Sequence, residues 1–321
     1  MYSIHQIPFF EQLADSKKIL LAGAGGGFDI YAGIPLYLNL KARGYEVIIA
    51  NLSFTALRST TCVEAYPHCF EIAFRDQLQN GERYFPEKIL KTWLLHTAGH
   101  NTEVYGLENT GPNALKNAYK FLIKKHGIDT IVLVDGGTDS LMFGDESGLG
   151  TPQEDITSMV AAYRTGLKKI LLTSIGFGID HYHGVSHYHF LENLAEIMRE
   201  DGYLGLFPLM KDMREGQQYI DLISYANLHM SGMESIVSNS IMSSVEGQYG
   251  NVHNSTRTAG SELWINPLMS IYWCFDLRKI IKKIKYYDLV KDCNTVSEFK
   301  AALSNFRSEL TVFREKRSLP L

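Results

Sequence analysis

The chain has 321 residues, 45% of them hydrophobic and 21% charged. That length supports a large buried core in one domain or two, and the composition excludes a disordered or fibrous chain. A formal net charge of −4 gives no electrostatic footing for a nucleic-acid partner.

The four cysteines, Cys62, Cys69, Cys274 and Cys293, form no C-x-x-C pair, which suits free thiols in a reducing compartment. The first residues lack a basic segment followed by an apolar one, so no signal peptide is expected. No stretch long enough to span a bilayer is free of charges and turn residues. These features set the expectation of a cytoplasmic protein with no membrane partner. A homo-oligomer is compatible with the sequence.

Lys18 to Ala22 reads as a first buried strand, closed by Gly23-Ala-Gly-Gly-Gly-Phe-Asp29. A helix from about Ile30 to Arg43 follows, with Gly44 as its C-terminal cap, and then a strand from Tyr45 to Ala50. This strand, glycine loop, helix and strand is the best fold signal in the chain. Further on, the pattern predicts a strand near Phe70 to Phe74, a helix from Pro86 to Leu95 and a strand near Val104 to Leu107. A helix from about Pro112 to Lys125 and the strand Thr130 to Val134 come next. Thr151 is the expected N-cap of a helix running to Tyr163, with Pro152 at its first position. The strand Lys169 to Ser174 and a helix from about Phe190 to Glu200 complete this region.

Beyond residue 216 the pattern is helical, and Thr295-Val-Ser-Glu298 is a capping box that opens the last helix. Lys279 to Lys285, interleaved with isoleucines, reads as an amphipathic helix with its lysines in solvent. The expected fold is a three-layer, Rossmann-like α/β sandwich with a mainly parallel sheet. Residues 1–215 would carry the site loops, and 216–321 would form a helical extension packed on the same core.

Four loops hold the candidate chemistry. In the first, Gly23 and Gly25 match a dinucleotide fingerprint, but Phe28 stands where its third glycine belongs. Asp29 puts negative charge at a helix start that would otherwise attract phosphate, and the second strand ends in Asn51 without a ribose-binding acid. NAD(P) in its usual pose is therefore disfavoured. Gly25, Gly26 and Gly27 remain candidates for close backbone approach to a ligand.

The second loop is Asp135-Gly-Gly-Thr-Asp139-Ser-Leu-Met-Phe-Gly-Asp145-Glu146, directly after a buried strand. Carboxylates gathered at a strand end are costly unless a cation, a proton or a polar ligand compensates them. Asp135 and Asp139 are the leading catalytic candidates, with Gly136, Gly137 and Thr138 offering backbone donors. Asp135, Asp139, Asp145 and Glu146 form a candidate Mg²⁺ or Mn²⁺ ligand set.

The third loop, Gly178 to His189, carries Asp180 and four of the eleven histidines. Asp180, His181 and His183 lie nearest the strand end and are candidates for proton transfer. The fourth, Asn251 to Thr258, contains Arg257, the one candidate cation for a phosphate or carboxylate.

The motifs Gly23 to Asp29, Asp135 to Met142 and Gly148-Leu-Gly-Thr-Pro-Gln-Glu-Asp155 resemble an uncharacterised prokaryotic family, domain of unknown function 1152. The resemblance covers most of the chain and carries no known activity. It implies that Asp155 belongs with the site; from the residues alone Asp155 would serve the helix dipole. The expected function is an enzyme acting on a nucleotide, nucleoside or phosphorylated sugar, by hydrolysis or group transfer at a phosphoryl or glycosidic bond. The alternative is a sensor that binds such a small molecule without turning it over.

Overall fold

The computed structural model describes residues 2–319 except Asn80 and Glu82. After a short helix α1 (Pro8–Leu13), β1 (Lys18–Gly26) leads into α2 (Asp29–Ala32) and α3 (Ile34–Ala42). The single helix expected over Ile30 to Arg43 is thus broken at Gly33, where the backbone packs tightly against Val134 and Leu21. Then come β2 (Glu46–Ser53), the hairpin β3 (Val63–Tyr66) and β4 (Cys69–Ile72), α4 (Pro86–His96) and β5 (Val104–Glu108). Next are α5 (Pro112–His126), β6 (Thr130–Asp135), α6 (Pro152–Tyr163), β7 (Lys169–Ser174), α7 (His187–Arg199) and β8 (Tyr203–Pro208). The rest comprises α8 (Arg214–His229), α9 (Ile236–Val245), β9 (Ile271–Asp276), α10 (Leu277–Ile281), α11 (Tyr287–Val290) and α12 (Val296–Glu309).

The nine strands form one sheet in the order β3-β4-β5-β2-β1-β6-β7-β9-β8. The central five, β5 to β7, run parallel, and both edges are antiparallel. Side chains alternate between two faces, as a strand's period of two requires. Leu20, Ala22, Ile131 and Leu133 pack with α5, α6 and the last helices, whereas Ile19, Leu21, Val132 and Val134 pack with α2 to α4, α8 and α9. The result is a three-layer, Rossmann-like α/β sandwich whose central strands are buried on both faces.

The segment 216–321 is not purely helical: β9 inserts between β7 and β8, pairing antiparallel with both. Its sequence, Ile271-Tyr-Trp-Cys-Phe-Asp276, is a short apolar run that periodicity cannot distinguish from a buried helical turn. The lysine-rich run forms only the short α10. Lys282 and Lys285 are exposed, Lys285 also pairing with Asp145, whereas Lys283 is largely covered by its pairs with Glu196 and Glu200.

The topology places the site. From β1 the chain moves outward to β2 and β5 along one face, then α5 returns on the other face to lay β6 on the far side of β1. The connections diverge between β1 and β6, opening a crevice at their carboxyl ends.

Candidate active site

Two strand ends define this crevice. Asn51, at the end of β2, holds the glycine loop by donating its Nδ2 to the Gly27 carbonyl at 2.7 Å and to Glu87 Oε1 at 2.8 Å. Gly27 has φ +65°, a left-handed conformation that glycine adopts without strain, and it turns the chain into α2. Asp29 then points back over the loop. A Cβ at Gly25 would overlap the carboxylates of both Asp29 and Asp155, so Gly25 is required for two acids to close over one peptide.

From the other side, Asp135 ends β6 and accepts a hydrogen bond from Ser140 Oγ, itself 3.2 Å from Ser174 Oγ. Asp139 accepts from the amide and the hydroxyl of Thr151 at 2.8 and 2.9 Å. The Thr151 hydroxyl, expected to cap α6, is used here instead. Asp180 accepts from the Thr138 amide at 2.6 Å, with Gly137 packed against its carboxylate. Gly136 packs against Asp29. Asp155, on the first turn of α6, is 2% exposed, and its Oδ2 has no hydrogen-bond partner among the described residues.

The structure therefore brings Asp29, Asp135, Asp139, Asp155 and Asp180 together. All but Asp29 are buried, and Asp29 keeps a partly open face. No lysine or arginine forms an ion pair with any of the five among the described residues. Burial pushes the carboxyls of Asp29, Asp135, Asp155 and Asp180 well above the usual carboxylate range. The next largest cause for each of the four is the nearby charge of Asp139. Five adjoining acids cannot all ionise without compensation.

One oxygen each from Asp29, Asp135 and Asp155 lie within 4.8 Å of one another. Oxygens bound to a common Mg²⁺, Mn²⁺ or Ca²⁺ at about 2.0–2.6 Å stand about 3–5 Å apart, so this donor set fits a hard divalent cation.

Several expected site residues lie elsewhere. Asp145 pairs with Lys285 and Arg314, and Glu146 is fully buried. Glu146 accepts from the amides of Phe143 and Gly144, from Asn193 Nδ2 and from Arg314. Both carboxylates are already paired, and of the set expected from the sequence only Asp135 lies in the cluster, whose other members are Asp29 and Asp155 and not Asp139, Asp145 or Glu146. The histidines depart from expectation as well. A one-turn 3₁₀ segment, Ile179–His183, buries Asp180 and leaves His181 and His183 exposed. His181 Nδ1 faces Lys316 Nζ at 3.2 Å and neither histidine bonds a site carboxylate. Arg257 donates Nη1 to the Glu234 carbonyl at 2.6 Å and remains at the surface.

Two contributors escaped sequence reading. Glu87, fully buried behind the glycine loop, is pushed up to about 7 by burial, against hydrogen bonding from Asn51. Its only signal was a glutamate after Pro86, indistinguishable from a helix start. Arg314, in the C-terminal segment, bridges Asp145, Glu146, Glu192 and Asn193. The same segment accepts from Ser186 at the Arg317 carbonyl and meets His189 at the Glu315 carbonyl, so it straps down the loops after β6 and β7.

Among the described residues no helix is long and apolar enough to cross a membrane. No curated protein and no solved structure matches the chain. Residues 76–315 match a family model described as Protein of unknown function (DUF1152). The matched span contains Asp135, Asp139, Asp155 and Asp180 and begins after Gly25 and Asp29. With three quarters of its length matched, the chain belongs to the DUF1152 family.

Proposed function

We propose that this protein is an enzyme that hydrolyses, or transfers a group at, a phosphoryl or glycosidic bond of a nucleotide, nucleoside or phosphorylated sugar. The observation that carries the reading is the group of five aspartates at the sheet's switch point, none paired with a lysine or arginine and with the Asp155 Oδ2 atom unpartnered among the described residues. A fold does not buy burial of that much like charge without a compensating ligand.

Asp29, Asp135 and Asp155 are the residues that would hold Mg²⁺ or Mn²⁺. Such an ion, when bound, would neutralise phosphate charge and polarise a bound oxygen. Asp139 and Asp180 adjoin the set and would accept a proton from water. In hydrolysis the water oxygen forms the new bond to phosphorus or to the anomeric carbon. Its proton passes to a carboxylate, and the leaving oxygen or nitrogen is protonated in turn. His181 and His183, exposed on the adjoining turn, would join only if the loop folds inward over substrate. The unpaired thiols of all four cysteines support a cytoplasmic setting.

The test is turnover of a panel of nucleotides, nucleosides and sugar phosphates with Mg²⁺ or Mn²⁺ and with EDTA, products resolved by mass. Product formed from at least one member, lost on chelation, is the expected result. Binding without product from any member would identify a sensor. Full turnover in excess EDTA would favour metal-free acid–base attack at a glycosidic bond.

A further inference from the structure

Beside the carboxylate crevice lies an open cleft of about 550 Å³ at the carboxyl ends of β2 and β5. Its volume falls within the range of small-molecule sites. We propose that this cleft is a nucleobase subsite, in which a base stacks on Phe54 while the sugar it carries reaches Asp29. This inference rests on the proposed nucleotide-directed function and selects, among its substrates, those that carry a base.

Four observations converge on it. Phe54, directly after β2, is 51% exposed, unusual for a phenylalanine in a position with a pocket beneath it. Its ring rests against the glycine loop so closely that a Cβ at Gly26 would overlap it, and it adjoins Gly27 as well. The aromatic wall of the cleft and the loop under the aspartates are therefore one continuous surface.

On the opposite side, Asn109 lines the cleft and receives Gln153 Nε2 at 3.5 Å. Gln153 stands two positions before Asp155 on the first turn of α6. The two sites thus share a wall on each side.

The charges in the cleft argue against a phosphate there. Arg58 is held by Glu64 at 3.0 Å and by Glu108 at 2.7 Å, and His68 Nδ1 lies 2.8 Å from Glu108. Two carboxylates meet one guanidinium and one imidazole, so the wall offers no surplus positive charge. A neutral, planar ring suits it better than an anion.

Finally, His68 adopts φ +66°, a left-handed conformation uncommon for a residue other than glycine, in the turn joining β3 and β4. Glu64 fixes this turn by accepting from the His68 amide at 3.0 Å. Strain of this kind concentrates where a binding wall must be held in one shape.

The experiment measures equilibrium binding of the four common ribonucleoside monophosphates and of ribose 5-phosphate, with Mn²⁺ present. The proteins are the wild type, Phe54→Ala, Phe54→Tyr and Asn109→Ala, each checked for an unchanged melting temperature. At least one nucleoside monophosphate should bind about tenfold or more tightly than ribose 5-phosphate. Phe54→Ala should remove that advantage, Phe54→Tyr should retain it, and ribose 5-phosphate should bind all variants alike. Equal affinity for ribose 5-phosphate and every nucleotide overturns the subsite, as does Phe54→Ala with nucleotide affinity intact. The outcomes also separate this inference from the proposed reaction. Turnover of a sugar phosphate with no base-dependent binding keeps the reaction and removes the subsite; base-dependent binding with no turnover does the reverse.

Discussion

Asp139 gathers the amide and the hydroxyl of Thr151 on a single carboxylate oxygen, at 2.8 and 2.9 Å. This contact joins the loop after β6 to the start of α6, and so brings Asp155 up to Asp135. It also fixes the one charge that raises the pKa of all four neighbouring acids. Asp139→Asn keeps a carbonyl acceptor for Thr151 and removes the charge. Turnover or ligand binding should be lost, with the melting temperature unchanged or higher. A variant that melts many degrees lower yet stays fully active per folded molecule would falsify a functional role for Asp139.

Asp155→Asn separates site chemistry from stability. The carboxylate is buried without a partner for Oδ2, next to three like charges. With EDTA present, the variant should be more stable than the wild type by about 1 kcal/mol, as expected where stability is sacrificed to a site. Added Mn²⁺ should raise the wild-type melting temperature and leave that of the variant nearly unchanged. Calorimetry in the two conditions decides it; equal Mn²⁺ stabilisation of both proteins removes Asp155 from the ligand set.

Glu87 gives a pH dependence of defined sign. Its folded pKa, about 7, lies above the ordinary 4.5 because burial disfavours the charge. The protonated form is therefore favoured by the fold, and its contribution is present in full below about 4.5 and lost as pH rises through about 7. The shift corresponds to about 3 kcal/mol. Urea unfolding of wild type and Glu87→Gln between pH 4.5 and 8 should show a decline in the wild type that the variant largely lacks. Parallel curves for the two proteins would show that Glu87 does not titrate in this window.

Arg314 is the strap's anchor. Its guanidinium meets Glu146, which is fully buried, and Asp145. Arg314→Ala leaves a buried carboxylate without its cation, at a cost of about 3 kcal/mol. Pairing it with Glu146→Gln should recover part of that loss, because the orphaned charge is gone. Chemical denaturation of the single and double variants measures the coupling. No recovery would mean that Arg314 acts through packing or through Asp145 and Glu192.

The sequence alone determined the sandwich and the loops that carry the clustered acids. A buried strand ending in Gly23 to Gly27, and another ending in Asp135-Gly-Gly-Thr-Asp139, are local patterns. Apolar period and glycine placement fix where such strands stop. It also marked Asp29, Asp135, Asp139 and Asp180, since acids at strand ends have no part in a core. What it could not determine was which carboxylates keep a free face. Asp135, Asp139, Asp145 and Glu146 all read as members of one candidate metal set. Only tertiary structure brings Arg314, some 170 residues away, onto Asp145 and Glu146, and leaves Asp155 uncompensated. The insertion of β9 between β7 and β8 was hidden for the same reason. Strand pairing and charge pairing are contacts between distant segments, and no local period encodes their partners.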